Sequence, residues 1–277
     1  MSTSNLFVNA LRMTRQAIPD WVLKNGDRNG LIRKKKFHWN ATTVGNLLSS
    51  IQAIPANTLL LGQCTDGLPF MMELCEPEMG AILIGCDAGC GKTHQLQVMV
   101  DSAILTFSPH KMQIAILSPN LNEWESLQSN AASKKYIYDI LSWYDKKAEN
   151  LIKALTELAE ARRGGHRLGA DILFILDDLE HIEDLSFEAQ VNLHWLLEYG
   201  SQSNVWVVGT IGAELASGFR YWINPFRTRI VGRVHASTNA DILAIRPDSK
   251  ASELDHGSFK AWAGTRWMTY SLVPLGS

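Results

Sequence analysis

A glycine-rich segment that ends in lysine and threonine is the first feature whose residue types predict chemistry. Gly89, Gly91, Lys92 and Thr93 follow a buried-strand pattern at residues 81–84 and precede a helical pattern. Glycines in such a turn let backbone N–H groups converge on phosphate oxygens, and the positive end of the following helix adds to the attraction. The lysine would reach the β- and γ-phosphates, and the threonine hydroxyl would bind Mg²⁺. The segment is therefore predicted to bind ATP with Mg²⁺.

The predicted nucleotide contacts all lie in this loop and in the first turn of the helix after it. They are Ala88, Gly89, Cys90, Gly91, Lys92, Thr93 and His94. For His94, a role in packing is the alternative to a nucleotide contact. The loop departs from the strict phosphate-binding pattern at Cys86, where a glycine is expected, and at Asp87, which places a negative charge near the phosphates. Both departures predict weaker binding.

Two acidic residues at the end of another buried-strand pattern, residues 172–176, predict the second half of the site. We expect this strand to lie next to the phosphate-loop strand, so that Asp177 holds the Mg²⁺ hydration shell together with Thr93. Asp178 occupies the place from which an acid orients the attacking water, although its side chain is shorter than that of glutamate. The alternative is that both acids are only a polar strand end.

Alternating strand and helix patterns predict the framework that positions these residues. Buried-strand runs lie at residues 81–84, 114–117, 172–176 and 205–208, and helical patterns lie at residues 92–107, 124–163 and 187–199. Apolar runs of four or five residues fit strands covered on both faces, and their alternation with helices predicts a parallel sheet in an α/β fold. Residues 59–74 predict a preceding pair of short strands around a turn.

Composition and charge limit the class of protein and the kinds of partner that the sequence allows. The chain has 277 residues, of which 46% are hydrophobic and 19% charged, which is enough for a sizeable core. The net charge is -2, so a DNA partner would have to meet a local basic patch. No stretch reaches the roughly 18–20 apolar residues of a membrane helix, and the N-terminus lacks a signal-peptide pattern. A cytoplasmic protein without a membrane segment is the expectation.

Two domains of unequal size are predicted. Residues 1–57 form an N-terminal appendage that is partly helical, including a short helix over residues 6–13, and residues 58–275 form the nucleotide-binding domain. A basic run at residues 33–36 lies beside Phe37 and Trp39. It fits either contacts to DNA phosphates and bases or an ordinary solvated face.

From residue 58 to residue 275 the order and spacing of short motifs resemble the FtsK/HerA superfamily of P-loop ATPases. The matching segments are the strand pair at residues 58–74, the Ser-Pro spacer at 108–110, and residues 118–124, 160–163, 224–230, 239–243 and 257–274. The resemblance implies a RecA-like P-loop NTPase fold with a mostly parallel central sheet flanked by helices, plus the small N-terminal appendage.

The resemblance also implies an activity. Members of the superfamily are ring motors, usually hexamers, with ATP between subunits. It implies a homo-oligomeric ring that hydrolyses ATP to ADP and phosphate and moves double-stranded DNA, with Lys92, Asp178 and Arg229 as catalytic residues. Arg229, or failing it Arg227 or Arg233, would reach the γ-phosphate of a neighbouring subunit, and surface ion pairs are the alternative role for these arginines.

One departure from the superfamily pattern keeps other functions open. Ile211 stands where DNA-translocating members carry a glutamine that senses the γ-phosphate. Together with Cys86 and Asp178, it predicts slow or absent hydrolysis and brings the chain closer to type VII secretion ATPases. The alternatives to a DNA motor are therefore a secretion or coupling ATPase that acts on protein, and a nucleotide-gated assembly module with little hydrolysis.

Overall fold

The computed structural model describes residues 42–75, 79–166, 169–246, 249–263 and 266–275. The helix predicted at residues 6–13 and the basic run at residues 33–36 lie outside these ranges. Within them, no helix is both long enough and apolar enough to cross a lipid bilayer.

In the described ranges, ten strands form one sheet at the centre of the fold. The strands are β1 (Thr58–Cys64), β2 (Pro69–Glu73), β3 (Ala81–Cys86), β4 (Met112–Ser118), β5 (Ile137–Ser142), β6 (Asp171–Leu176), β7 (Val205–Gly212), β8 (Phe226–Val231), β9 (Ser258–Trp262) and β10 (Trp267–Ser271). Their order across the sheet is β2-β1-β10-β9-β8-β3-β7-β6-β4-β5.

The sheet has a parallel part and an antiparallel part. Strands β8, β3, β7, β6, β4 and β5 run parallel to one another, whereas β2, β1, β10 and β9 pair in antiparallel fashion. Every residue of β3, β6 and β7 is buried, because helices cover both faces of the parallel part. The predicted α/β fold with a mostly parallel sheet is confirmed.

Helices pack on both faces of this sheet. They are α1 (Val44–Ser49), α2 (Lys92–Thr106), α3 (Glu125–Ser129), α4 (Lys147–Arg163), α5 (Phe187–Tyr199), α6 (Arg220–Ile223) and α7 (Ser237–Ala244). Leucines and isoleucines of α4 and α5 fill the core on one face, and α2 fills the core on the other. Helix α1 packs through Val44, Leu47 and Leu48 on Leu60 and Val98.

Two predictions about the framework are wrong. The helix predicted over residues 124–163 is instead a 3₁₀ turn at Leu121–Trp124, the short α3, strand β5 and then α4. The isoleucines and tyrosine of β5 favour a strand, and they pair with β4. The strand that carries Asp177 is also not next to the phosphate-loop strand, because β7 lies between β3 and β6.

Candidate functional site

The predicted phosphate loop connects the C-terminal end of β3 to the start of α2. Gly89 has φ 74° and Gly91, the residue that caps α2, has φ 102°, a region that residues with side chains rarely adopt. A Cβ atom built on Gly89 would have no other atom within 4 Å. The loop backbone therefore has the left-handed glycine conformations of a phosphate cradle at a helix N-terminus, and the space beside Gly89 is open.

The carboxylate of Asp177 lies against the first turn of α2 in spite of the intervening strand. The Thr93 hydroxyl donates to Asp177 Oδ1 at 3.2 Å, and the Thr210 hydroxyl donates to the same oxygen at 3.2 Å. The Ser118 hydroxyl donates to Oδ2 at 3.1 Å. Asp177 is thus held from α2, β7 and β4 at once, and Trp143 fixes its backbone by donating from Nε1 to its carbonyl at 2.6 Å. The predicted meeting of Thr93 with Asp177 occurs.

The electrostatics of Asp177 favour a bound cation. The residue is 2% exposed, and burial raises the pKa of its carboxyl to about 6, with the charge of Asp178 acting in the same direction. Hydrogen bonds from Ser118 and Thr93 lower this pKa and offset part of the effect. A buried carboxylate among hydroxyl oxygens is the kind of hard-oxygen environment that Mg²⁺ prefers. The residues present therefore fit the metal that the sequence predicts.

Asp178 adopts an unusual backbone conformation next to this carboxylate. Its φ is 60°, which is uncommon for a residue with a side chain and is frequent at functional sites. Its N–H donates to the Thr210 hydroxyl at 2.8 Å, and that hydroxyl in turn donates to Asp177. Thr210 thereby fixes both acids relative to each other.

Neighbouring residues accommodate the departure from the strict loop pattern at Cys86. The Cys86 side chain is buried, and a Cβ on Gly232 would lie 2.8 Å from Cys86 Cβ. Gly232, in the segment after β8, thus leaves room for the Cys86 side chain at a position where the strict pattern has a glycine. Both Cys86 and Cys90 are free, and burial raises the pKa of the Cys86 thiol, so Cys86 is not an activated nucleophile.

The second departure, Asp87, is also paired. One oxygen of its carboxylate accepts a hydrogen bond from the backbone N–H of His235 at 3.0 Å and contacts the ring Nδ1 of the same residue. His94, by contrast, donates from Nε2 to the carbonyl of Val273 at 2.8 Å. This contact supports the packing alternative for His94.

Arg229 lies in the protein interior. It is 5% exposed, its Nε donates to the Phe226 carbonyl at 2.9 Å, and its Nη2 donates to the Ile223 carbonyl. Burial lowers the pKa of this guanidinium to about 10. Nη1 has no hydrogen-bond partner among the described residues. In this arrangement the side chain is bound within its own subunit, which argues against the role of an arginine offered to a neighbour. Arg227 is exposed and Arg233 is half-buried.

Sequence reasoning did not single out several residues that organise the site. Ser118 and Thr210 belong to no recognised phosphate-binding motif, yet both bind the Asp177 carboxylate. Their position at the ends of predicted strands could have identified them, because polar residues at the C-terminal ends of parallel strands meet at the ligand-binding edge of a sheet. The contacts of Trp143 and His235 depend on tertiary packing and have no comparable local signal.

Comparisons with known proteins give structural matches alone, since no protein-family model and no curated protein matches the sequence. ATPases 2 and 3 of EssC from Geobacillus thermodenitrificans superpose with a TM-score of 0.66 at 18% identity, over 80% of this chain and 45% of that one. ATPases 2 and 3 of EccC from Thermomonospora curvata, solved in complex with a signal sequence peptide, give 0.63 at 16% identity, over 80% and 41%.

A third similar structure is the pCW3 conjugation coupling protein TcpA with ATPγS, with a TM-score of 0.55 at 18% identity over 79% of this chain and 66% of that one. The chain spans less than half the length of the EccC and EssC structures. These similarities agree with the resemblance found in the sequence. The chain therefore has the RecA-like α/β fold of these structures.

Proposed function

We propose that this protein binds MgATP in the loop between β3 and α2 and hydrolyses it. The observation that carries the proposal is the 3.2 Å hydrogen bond between Thr93 Oγ1 and Asp177 Oδ1, which joins the phosphate loop to a buried acid two strands away. The bound metal would supply positive charge to the phosphate oxygens. Thr93 and Asp177 would hold it.

The remaining residues take roles that follow from their positions. The amides from Ala88 to Thr93 would bind phosphate oxygens, and Lys92 would neutralise charge that develops during phosphoryl transfer. Asp178, held by Thr210, would orient the attacking water. His94 would shape the start of α2 through its bond to Val273, with no direct contact to the nucleotide.

We further propose that the protein is a ring-forming motor that moves double-stranded DNA. The support is the motif order of the sequence together with the similarity to a conjugation coupling protein. The EccC structure with its signal sequence peptide supports the alternative of a protein substrate. Turnover of MgATP should be measured alone, with duplex DNA, and with an unstructured peptide. Stimulation by DNA is the expected result, and stimulation by the peptide alone would favour the secretion-type function.

The side chain of Ile211 favours a second candidate function, nucleotide binding with slow turnover. Ile211 is 1% exposed and lies in the core on the α4 and α5 face, so the place of a γ-phosphate sensor is taken by a packing residue. Ring assembly that depends on ATP, together with negligible hydrolysis in the presence of DNA or peptide, would identify this function.

If ATP lies between subunits, the arginine supplied by the neighbour is better assigned to Arg227 or Arg233 than to Arg229. Arg229 would have to break its bonds to two carbonyls and leave the core. Rings mixed from Lys92→Ala subunits and subunits lacking one arginine test this assignment. Turnover recovers in mixed rings only where that arginine acts in trans.

Replacing Gly89 with alanine tests whether the open space in the loop is a nucleotide site. The new methyl group meets no atom of the protein, so the protein without nucleotide should lose only the cost of a left-handed alanine, about 1–2 kcal/mol. Because the methyl group would enter the phosphate cradle, Gly89→Ala should weaken ATPγS binding at least about tenfold by calorimetry.

Gly165 provides a matched control. It has φ 95° and also has no atom within 4 Å of a built Cβ, but it lies between α4 and β6, at the edge of the parallel sheet opposite to the loop. Gly165→Ala should lower the free energy of unfolding by a similar amount and leave ATPγS affinity unchanged. Equal affinities in the two variants would contradict the assignment of the cradle.

A further inference from the structure

The segment that follows β8, residues 232–235, contacts the phosphate loop along its length. The backbone N–H of Asp87 donates to the Arg233 carbonyl at 2.9 Å, and the Cys90 thiol lies 3.6 Å from the same oxygen. The N–H of Gly232 donates to the Gly85 carbonyl at 3.0 Å, which continues the pairing of β8 with β3. Two carbonyls and two amides thus join the loop to a segment more than 140 residues away in sequence.

The side chain of Asp87 also contacts this segment, at His235. Its carboxylate accepts from the backbone N–H of His235 at 3.0 Å and contacts the imidazole Nδ1. Asp87 therefore joins the 232–235 segment through both its main chain and its side chain. The side chain of Asp87 is 26% exposed and that of His235 is 72% exposed, so the pair lies at the protein surface beside the loop.

An acidic side chain in a loop that binds a triphosphate needs an explanation in physical terms. Like charges about 6 Å apart repel by roughly 3 kcal/mol at an effective dielectric constant near 20, enough to weaken binding more than a hundredfold. A carboxylate that accepts from the His235 N–H and contacts the imidazole Nδ1 is held in one orientation, against residues 232–235.

We infer that Asp87 and His235 form a lock that positions the phosphate loop for the triphosphate and holds the Asp87 carboxylate against the 232–235 segment. The inference rests on the proposed nucleotide site. It assigns Asp87 as a positioning residue that acts through the loop backbone, and it makes the segment after β8 part of the nucleotide-binding apparatus.

The sign of the change in ATPγS affinity when Asp87 is substituted distinguishes this lock from simple electrostatic repulsion. If Asp87 only repels phosphate, Asp87→Ala removes the repulsion and tightens ATPγS binding. If Asp87 positions the loop, the same change removes its side-chain contact with His235, loosens the loop and weakens binding, by about tenfold for the loss of a charged hydrogen bond. Calorimetry with ATPγS and Mg²⁺ measures the difference. Unchanged or tighter binding would overturn the inference.

Three further variants refine the test. Asp87→Asn keeps an oxygen that accepts from the His235 N–H, so its affinity should lie closer to wild type than that of Asp87→Ala. His235→Ala leaves the carboxylate without the imidazole, so this single variant should bind more weakly than the double variant with Asp87→Ala. Additive losses in the double variant would mean that the two residues act independently.

Amide hydrogen exchange provides a readout that needs no nucleotide. Exchange at residues 87–91 of the ligand-free protein should be faster in Asp87→Ala than in wild type, because the loop has lost its side-chain contact with His235. Glu188→Ala is the matched control, since Glu188 also pairs with a base, Lys153, at the surface, and it should change neither exchange nor affinity.

The same measurements separate this inference from the proposed function. If wild type and Lys92→Ala bound ATPγS equally weakly, the nucleotide site itself would be refuted. If wild type bound it and Asp87→Ala bound equally well with unchanged exchange, the lock alone would be refuted.

Discussion

Lys92→Ala should lower MgATP turnover by about 10²–10³-fold, because the proposed charged contact of Lys92 to the transferring phosphate is lost. Lys92 is the first residue of α2, directly after the left-handed Gly91, so its position is fixed by the loop and the helix start together. Because the Lys92 side chain is only half-buried, the variant should still fold. Thermal unfolding of the ligand-free variant checks this expectation. The measurement is phosphate release at saturating MgATP.

Lys153→Ala is the control for the loss of a lysine. Lys153 lies on α4 and pairs with Glu188 on α5 at 3.4 Å, with both side chains largely exposed. Such surface pairs contribute roughly 0–1 kcal/mol to stability, so turnover should stay at the wild-type rate. Hydrolysis that survives in Lys92→Ala would place the catalytic site elsewhere in the chain.

Local sequence patterns predicted the parts of the fold that are buried on both faces. Residues 172–176 and 205–208 are uninterrupted apolar runs, and the structure contains them as β6 and β7. Strand β5 was missed because its residues are only partly buried at an edge of the sheet and are preceded by a short 3₁₀ turn, so no long apolar run marks it. Periodicity alone does not distinguish such a strand from a helix.

The parts of the candidate site that depend on residue type could be predicted from the sequence. The contacts that depend on the order of strands in the sheet could not. Glycines, lysine and threonine in one loop predict a phosphate site from sequence alone. That β7 lies between β3 and β6 is decided by long-range packing, and this order is what brings Thr210 between Asp177 and Asp178. The pairing of Asp87 with His235, 148 residues apart, is likewise absent from any local pattern.

Asp177→Asn should separate catalysis from stability more clearly than any other change. Loss of the carboxylate removes the proposed charged metal ligand, so turnover with Mg²⁺ should fall by about 10²-fold or more. The ligand-free protein should become more stable at pH 7, because an ionised carboxylate that is 2% exposed costs free energy to bury. Thr93, Thr210 and Ser118 offer hydroxyls, which rotate to accept from or donate to the amide.

The size and the pH dependence of this stabilisation follow from the pKa. The carboxyl of Asp177 has a pKa of about 6 in the folded protein against an ordinary 3.8. Between these values the folded state binds more protons than the unfolded state, so the stability of the ligand-free wild type falls as pH rises from about 4 to about 6. Above pH 6 the full cost is present, and the difference corresponds to about 3 kcal/mol. Asparagine does not titrate, so the variant should lack this slope.

Chemical unfolding in EDTA across this pH range measures the slope, and phosphate release measures the activity. Asp184→Asn is the control, because the Asp184 side chain is 66% exposed and lies in the same 3₁₀ turn, Leu179–Asp184, that follows the site. It should change neither quantity. A residue that lowers the stability of the ligand-free protein is retained for what it binds. An Asp177→Asn variant that was no more stable than wild type would therefore remove the argument for a metal site at this carboxylate. So would a variant that hydrolysed ATP at the wild-type rate.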